Sequence, residues 1–228
     1  MNILKEYDKD LDIRGLDEAF LDLTDFAFNN YISEEKEFES LIKEIKSKIF
    51  DETKLTCSIG ISSNKMLAKI CSDLNKPDGL KILLSQNIDE IKEFMKTMPV
   101  RKIPFVGEKM EQKLNMLGIK SCEDILEKYV DLFYIFHYNT FEFLIMSALG
   151  ISETVHKKVK ESINKSVSCS ETFVMTKDIH KIKKTFDNIS NRMYDTMIKQ
   201  SIVGKNLTIE IKSNKVSEIF KNYKYVSE

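Results

Sequence analysis

Within residues 57–79 the hydrophobic period changes twice, and this stretch constrains the fold more than any other. Leu55-Thr56-Cys57-Ser58-Ile59-Gly60-Ile61 reads as a strand. Ser62-Ser63-Asn64 then supplies a cap for a helix over 65–74, and Asn75-Lys76-Pro77-Asp78-Gly79 breaks that helix before a short third strand at 80–84. Upstream, Ala19, Leu21 and Leu23 alternate as in a strand with one buried face. Phe38, Leu41, Ile42, Ile45 and Ile49 then recur at helical spacing over 34–50. A further helix over about 87–97 stops at Pro99. Strand and helix therefore alternate through 1–97, which predicts an α+β layer with one sheet face covered by helices.

From 98 to about 160 the pattern is helical in short pieces. Pro104-Phe105-Val106-Gly107 predicts a tight turn between two of them, Leu117-Gly118-Ile119 a helix end, and Ser121 a new start. Residues 130–149 are apolar enough to predict a buried helix pair. After a basic connector (His156, Lys157, Lys158, Lys160), residues 167–173 read as a strand. An amphipathic helix is expected over 179–200, with Ile182, Phe186, Ile189, Met193 and Met197 on one face, and a strand over 206–212. The close at Lys221-Asn222-Tyr223-Lys224-Tyr225 reads as a module cut short.

Composition excludes several classes. No apolar run of about 18 residues exists, so no membrane span is expected. Met1-Asn2-Ile3-Leu4-Lys5-Glu6-Tyr7 has no signal-peptide core, and an intracellular chain is expected. Cys57, Cys71, Cys122 and Cys169 form no CxxC pair and read as reduced structural thiols. The net charge of −1 hides a gradient: −6 over residues 1–100, −2 over 101–155 and +7 over 156–228. An acidic front and a basic back suit a chain that holds metal with one part and phosphate with another.

Two segments stand out as chemistry. Asp17-Glu18 are adjacent carboxylates at the head of a strand. Adjacent strand residues face opposite ways, so both can serve one metal only at a turn or strand end. Hard oxygen donors of this kind suit Mg²⁺, although an Asp-Glu pair alone is most often solvated surface. The helix at 65–74 carries Lys65 and Lys69 one turn apart, on one face, and its start can receive an anion such as a triphosphate.

Taken together, Leu16-Asp17-Glu18-Ala19-Phe20-Leu21-Asp22-Leu23 resembles the second catalytic motif of the Y-family (translesion) DNA polymerases. Residues 57–79 are similar to that family's N-K-x-L-A-K-I-A-S-D signature nearly residue for residue. Tyr7-Asp8, Pro99-Val100-Arg101-Lys102-Ile103, Leu149-Gly150, Lys165-Ser166-Val167-Ser168 and Glu171-Thr172-Phe173 resemble its kappa branch.

The resemblance implies an α+β chain in three parts. Residues 1–97 would be the later part of a palm, an antiparallel sheet with helices on one face. Residues 98–165 would be a small all-α thumb with a helix-hairpin-helix-like turn, and 166–228 the start of an α+β little finger. Asp17 and Glu18 would be the catalytic, metal-binding carboxylates and Lys69 a contact to the nucleotide triphosphate. Lys65 would be a solvated companion. Val106, Gly107 and Lys109 would meet DNA phosphates. Phe105 stands where the family's turn has its first glycine, which either impairs close backbone approach or marks a core residue. Gly15 replaces the family's serine before the motif. Two Mg²⁺ ions, with Mn²⁺ able to substitute, primer-template DNA and dNTPs are the implied cofactors and partners, with a sliding clamp reached through sequence not in this chain. The implied place is the nucleus in a eukaryote and the cytoplasm otherwise. The family's first catalytic aspartate and its fingers would lie about a hundred residues upstream of Asp17, so this chain by itself is expected to extend primers negligibly. A DNA-binding remnant without catalysis is the alternative reading.

Overall fold

In a computed structural model, residues 2–85, 87–152, 166–211 and 219–224 are described. The expected basic connector, Lys165 and Tyr225 lie outside them. The chain forms two compact units, 1–160 and 161–228.

In the first unit a hairpin opens the fold: β1 (Asp12–Arg14) pairs antiparallel with β2 (Glu18–Phe20). The expected strand over 17–24 is therefore shorter than its alternation. The Asp22 carboxylate accepts from the Thr24 N–H at 3.0 Å and turns the chain into α1 (Thr24–Asn29), while Leu21 and Leu23 still pack, partly buried, against the neighbouring core. Next comes α2 (Glu35–Thr53), whose Leu41, Ile42 and Ile45 are buried at the predicted spacing and whose start carries a reciprocal Glu34–Glu37 capping box. Tyr7 fastens the N-terminal segment to it, donating to Glu44 at 3.0 Å and accepting from Lys48 at 2.9 Å.

β3 (Ile59–Ser62), α3 (Lys65–Leu74) and β4 (Leu80–Leu83) follow in the predicted order. β3 and β4 run parallel, whereas an antiparallel sheet was expected; a helix connecting two sheet neighbours returns the chain in the same direction. The α+β class is unchanged. Gly60 explains how closely β3 lies on α3. A Cβ there would sit 2.1 Å from the Ala68 carbonyl oxygen and 2.3 Å from the Ser72 nitrogen, both fixed backbone atoms.

α4 (Ile88–Lys96) leads to α5 (Glu108–Met116), α6 (Cys122–Glu127), α7 (Tyr129–Ile135) and α8 (Tyr138–Ala148). One core runs through these elements, from Met66, Leu67 and Ile70 of α3 through Met95, Leu114 and Ile125 to Leu132 and Leu144. The helix pair expected to be buried over 130–149 is buried only in part. α7 has seven residues and one buried side chain, Leu132, while Val130, Phe133, Tyr134 and Ile135 are exposed. Two turns offer few inward positions, and the short helix ends as Phe136 becomes extended.

In the second unit, α9 (Ile179–Gln200) has the predicted bounds and begins with Asp178 capping the His180 N–H at 2.9 Å. β5 (Asn206–Ile211) pairs antiparallel with β6 (Ile219–Lys224). The strand expected over 167–173 does not form. That segment is held by Arg192, which donates to the Ser170 carbonyl and the Glu171 carboxylate, both at 3.1 Å. The apolar face of α9 is half exposed at Ile182 and Phe186, because the two described strands are too few to cover 22 helical residues.

Candidate active site and nucleic-acid interface

Strand geometry assembles the site. The register sets Asp12 opposite Phe20 and Arg14 opposite Glu18, so side-chain alternation puts these four on one hairpin face. Gly15, Leu16 and Asp17 form the connecting turn, which Gly15 makes possible with a φ of +72°. Asp17 thus lies in the turn, outside the alternation, and exposed; Glu18 is the first strand residue. This is the one arrangement in which neighbouring carboxylates can address one site. The hairpin base is fastened by the Asp22 N–H donating to the Asp8 carboxylate at 2.9 Å.

α3 faces the hairpin. Asn64 caps it, accepting from the Leu67 N–H at 2.9 Å, and donates to the Gly150 carbonyl at 2.9 Å, which ties the helix start to the turn after α8. Lys65 and Lys69, one turn apart, then meet different carboxylates. Lys69 pairs with Glu18 through Nζ and Oε1. Lys65 donates to Asp12 Oδ2 at 2.9 Å, and its Nζ lies 5.7 Å from the centre of the Phe20 ring. Arg14 reaches the same Asp12 oxygen at 2.8 Å.

Lys65 is therefore not the solvated companion expected of it. Asp12 is only 5% exposed, and Lys65 is one of its two cations. Burial pushes the Asp12 carboxyl up, but hydrogen bonds from Lys65 and Arg14, with their charges, outweigh it and leave the group below its ordinary value. The sequence does not single out Asp12, because it stands among Asp8 and Asp10 in what reads as a connector before the paired carboxylates. Its place two residues before Arg14, on a strand of period two, was the available clue.

Lys76 was missed as well. It is held above its ordinary value first by its hydrogen bond to Asp73, and also by the charges of Glu18 and Asp17. The helix break after α3 thereby adds a second ammonium to the field around the paired carboxylates. Asp73, 2.6 Å from Lys76, is pushed up by burial but brought down overall by Lys76, Lys69 and Lys102.

The donor set fits Mg²⁺ in kind: two hard carboxylates at an exposed turn, enough for an ion usually held by one or two carboxylates plus substrate phosphates. No group of three or more His, Cys, Asp or Glu side chains gathers among the described residues, so phosphates or groups from elsewhere must complete any such site.

The second region is the turn before α5. Val106 is buried and exposed Gly107 is the N-cap of α5, with no side chain capping that end, which leaves backbone N–H groups of the first turn available to an anion. Lys109 is exposed beside them. Arg101 donates to the Val106 carbonyl at 2.6 Å and fixes the turn from behind. Phe105 is not core: it is 93% exposed, and its φ is +71°.

Comparison with known proteins identifies the family. The impB/mucB/samB family model matches residues 1–73, and the IMS family HHH motif matches 89–119. DNA polymerase kappa of Arabidopsis thaliana is 32% identical over 212 residues, 92% of this chain and 31% of the plant protein. DNA polymerase IV of Francisella tularensis subsp. novicida is 35% identical over 200 residues, 83% of this chain and 53% of that protein. Among solved structures, a Y-family DNA polymerase chimera of Dbh and Dpo4 superposes with a TM-score of 0.75 at 25% identity, covering 99% of this chain and 62% of the chimera. DinB from Sulfolobus solfataricus gives 0.58 at 25% identity, covering 100% and 63%. The chain belongs to the Y-family of translesion DNA polymerases. It spans about a third to just over half the length of these curated relatives.

Proposed function

We propose that this chain is the palm, thumb and little-finger portion of a template-directed DNA polymerase that synthesises across damaged DNA. On this reading 1–97 belong to the palm, 98–165 to the thumb and 166–228 to the little finger. The observation that supports it best is the hairpin turn that presents Asp17 and Glu18 together, faced by Lys69 from the capped helix α3.

Asp17 and Glu18 would hold Mg²⁺, two ions in the complete enzyme. The metal's chemistry there is to neutralise charge on the reacting phosphates and lower the pKa of the attacking hydroxyl. The chain's own residues do the rest by placement. Glu18 keeps Lys69 at the site while no nucleotide is bound. A dNTP triphosphate offers Lys69 a more highly charged partner, and the ammonium turns to it, leaving Glu18 free as an oxygen donor. Asp12, Arg14 and Lys65 hold the hairpin on α3 throughout. Lys109 and the uncapped N–H groups at the start of α5 meet duplex phosphates without reading sequence, while Gly107 allows close approach and buried Val106 anchors the turn.

The test is primer extension with a fusion that joins this chain to the fingers-bearing N-terminal segment of a relative. Extension that requires Mg²⁺ and disappears in Asp17→Ala supports the reading. Extension that survives this change removes Asp17 from the chemistry.

A further inference from the structure

Phe105 is strained where it stands, and among the described residues its ring packs against almost nothing. Its backbone is left-handed at a φ of +71°, a region that is strained for any residue carrying a side chain. Its ring is 93% exposed, so packing does not compensate. The turn itself does not require a ring, since glycine or asparagine adopts this conformation more readily. The turn is also rigid. Buried Val106 anchors it, the Val106 N–H donates to the Ile103 carbonyl at 3.1 Å, the Gly107 N–H donates to the Phe105 carbonyl at 3.1 Å, and Arg101 holds the Val106 carbonyl. The ring is held outward by fixed backbone.

Its surroundings indicate the partner. Residues 101–120 carry five basic and two acidic side chains in a chain whose net charge is −1. Phe105 is the one large hydrophobic exposed between Ile88 and Met116 among the described residues. A single ring among cations is too small an apolar surface to seat a protein, but it matches nucleic acid, which offers sugar faces between phosphates.

We propose that Phe105 is a DNA-contacting residue whose ring packs on deoxyribose faces of duplex DNA beside the uncapped backbone N–H groups at the start of α5. This rests on reading residues 98–165 as a DNA-gripping thumb, and it replaces the expectation that losing the first glycine of the turn only impairs binding.

The experiment measures fluorescence anisotropy of a labelled primer-template duplex with the 228-residue chain across a series of salt concentrations. Phe105→Asn and Phe105→Gly should each weaken binding roughly fivefold, the scale of returning part of one apolar ring to water. The loss should be the same at every salt concentration, because a ring displaces no counterions. Lys109→Ala should instead lower the salt slope by about 0.9. Phe105→Trp should bind at least as tightly as the parent, and weaker binding by it overturns the ring contact. Binding by Phe105→Gly as tight as the parent's, or tighter, overturns the ring contact and leaves the thumb reading standing. A salt slope altered by Phe105→Asn overturns the ring contact too. A parent chain that binds no duplex even at low salt overturns both.

Discussion

Asp12 and Lys65 act together, so their variants should fail in a recognisable way. Lys65→Ala leaves Asp12 buried with Arg14 as its remaining cation and should cost about 1–3 kcal/mol in chemical denaturation. Lys69→Ala should cost well under that, since Lys69 and Glu18 are both partly solvated and exposed pairs contribute about 0–1 kcal/mol. Asp12 also gives a pH signature. Its folded-state pKa is depressed, so its contribution is present above the unfolded value of about 3.9 and is lost as pH falls through the folded value. The melting temperature of Asp12→Asn should therefore lie below the parent's at neutral pH, and the gap should close as the solution is acidified below about pH 4. A gap that widens toward acid would mean Asp12 is not held by its cations.

The thiols give an independent probe of the core at the same scale. Burial pushes Cys71 up to about 11 and Cys122 up to about 12. Neither thiolate forms near neutral pH, so alkylation of these two should proceed at the rate of unfolding rather than at the rate of reagent addition. Fast modification of Cys122 in the native chain would contradict the packing of α6.

Among the elements, the β3–α3–β4 unit carries the site, and Gly60 is its most sensitive point. Gly60→Ala should destabilise by more than about 3 kcal/mol, because the added carbon meets backbone that cannot move aside. Circular dichroism melts decide this; a neutral substitution would mean α3 does not lie where described. This unit was also the most legible part of the sequence, since the cap at Asn64, the helical spacing and the break at Pro77 all act within a few residues. The carboxylate turn was legible for the same reason. What could not be read depended on partners distant in the chain. The partnership of Asp12 with Lys65 spans 53 positions. The parallel run of β3 and β4 follows from where α3 returns the chain. The apolar run in α7 looks like core in one dimension, yet two turns of helix can turn only Leu132 inward. Residues 167–173 have strand composition but no strand beside them among the described residues, and composition alone does not pair a strand.

At the scale of the molecule, the charge gradient sets how the chain should meet DNA. Binding should be weak, indifferent to sequence and steeply dependent on salt, with each neutralised phosphate adding about −0.9 to the slope of log K against log salt. By itself the chain should extend a primer negligibly, because its described residues bring only two carboxylates to the turn.

The central claim is that Glu18 and Lys69 do chemistry while Lys65, one turn away, holds structure. Single-turnover primer extension by the fingers-bearing fusion tests it most directly, with the three alanine variants compared at a temperature where all are folded. Glu18→Ala should slow the step at least about a hundredfold, the scale of removing one preorganised charge-stabilising group. Lys69→Ala should act mainly on the apparent affinity for dNTP, and Lys65→Ala should leave the rate near the parent's once folded. Equal losses from Lys65 and Lys69, or a Glu18→Ala fusion as fast as the parent, would contradict the account.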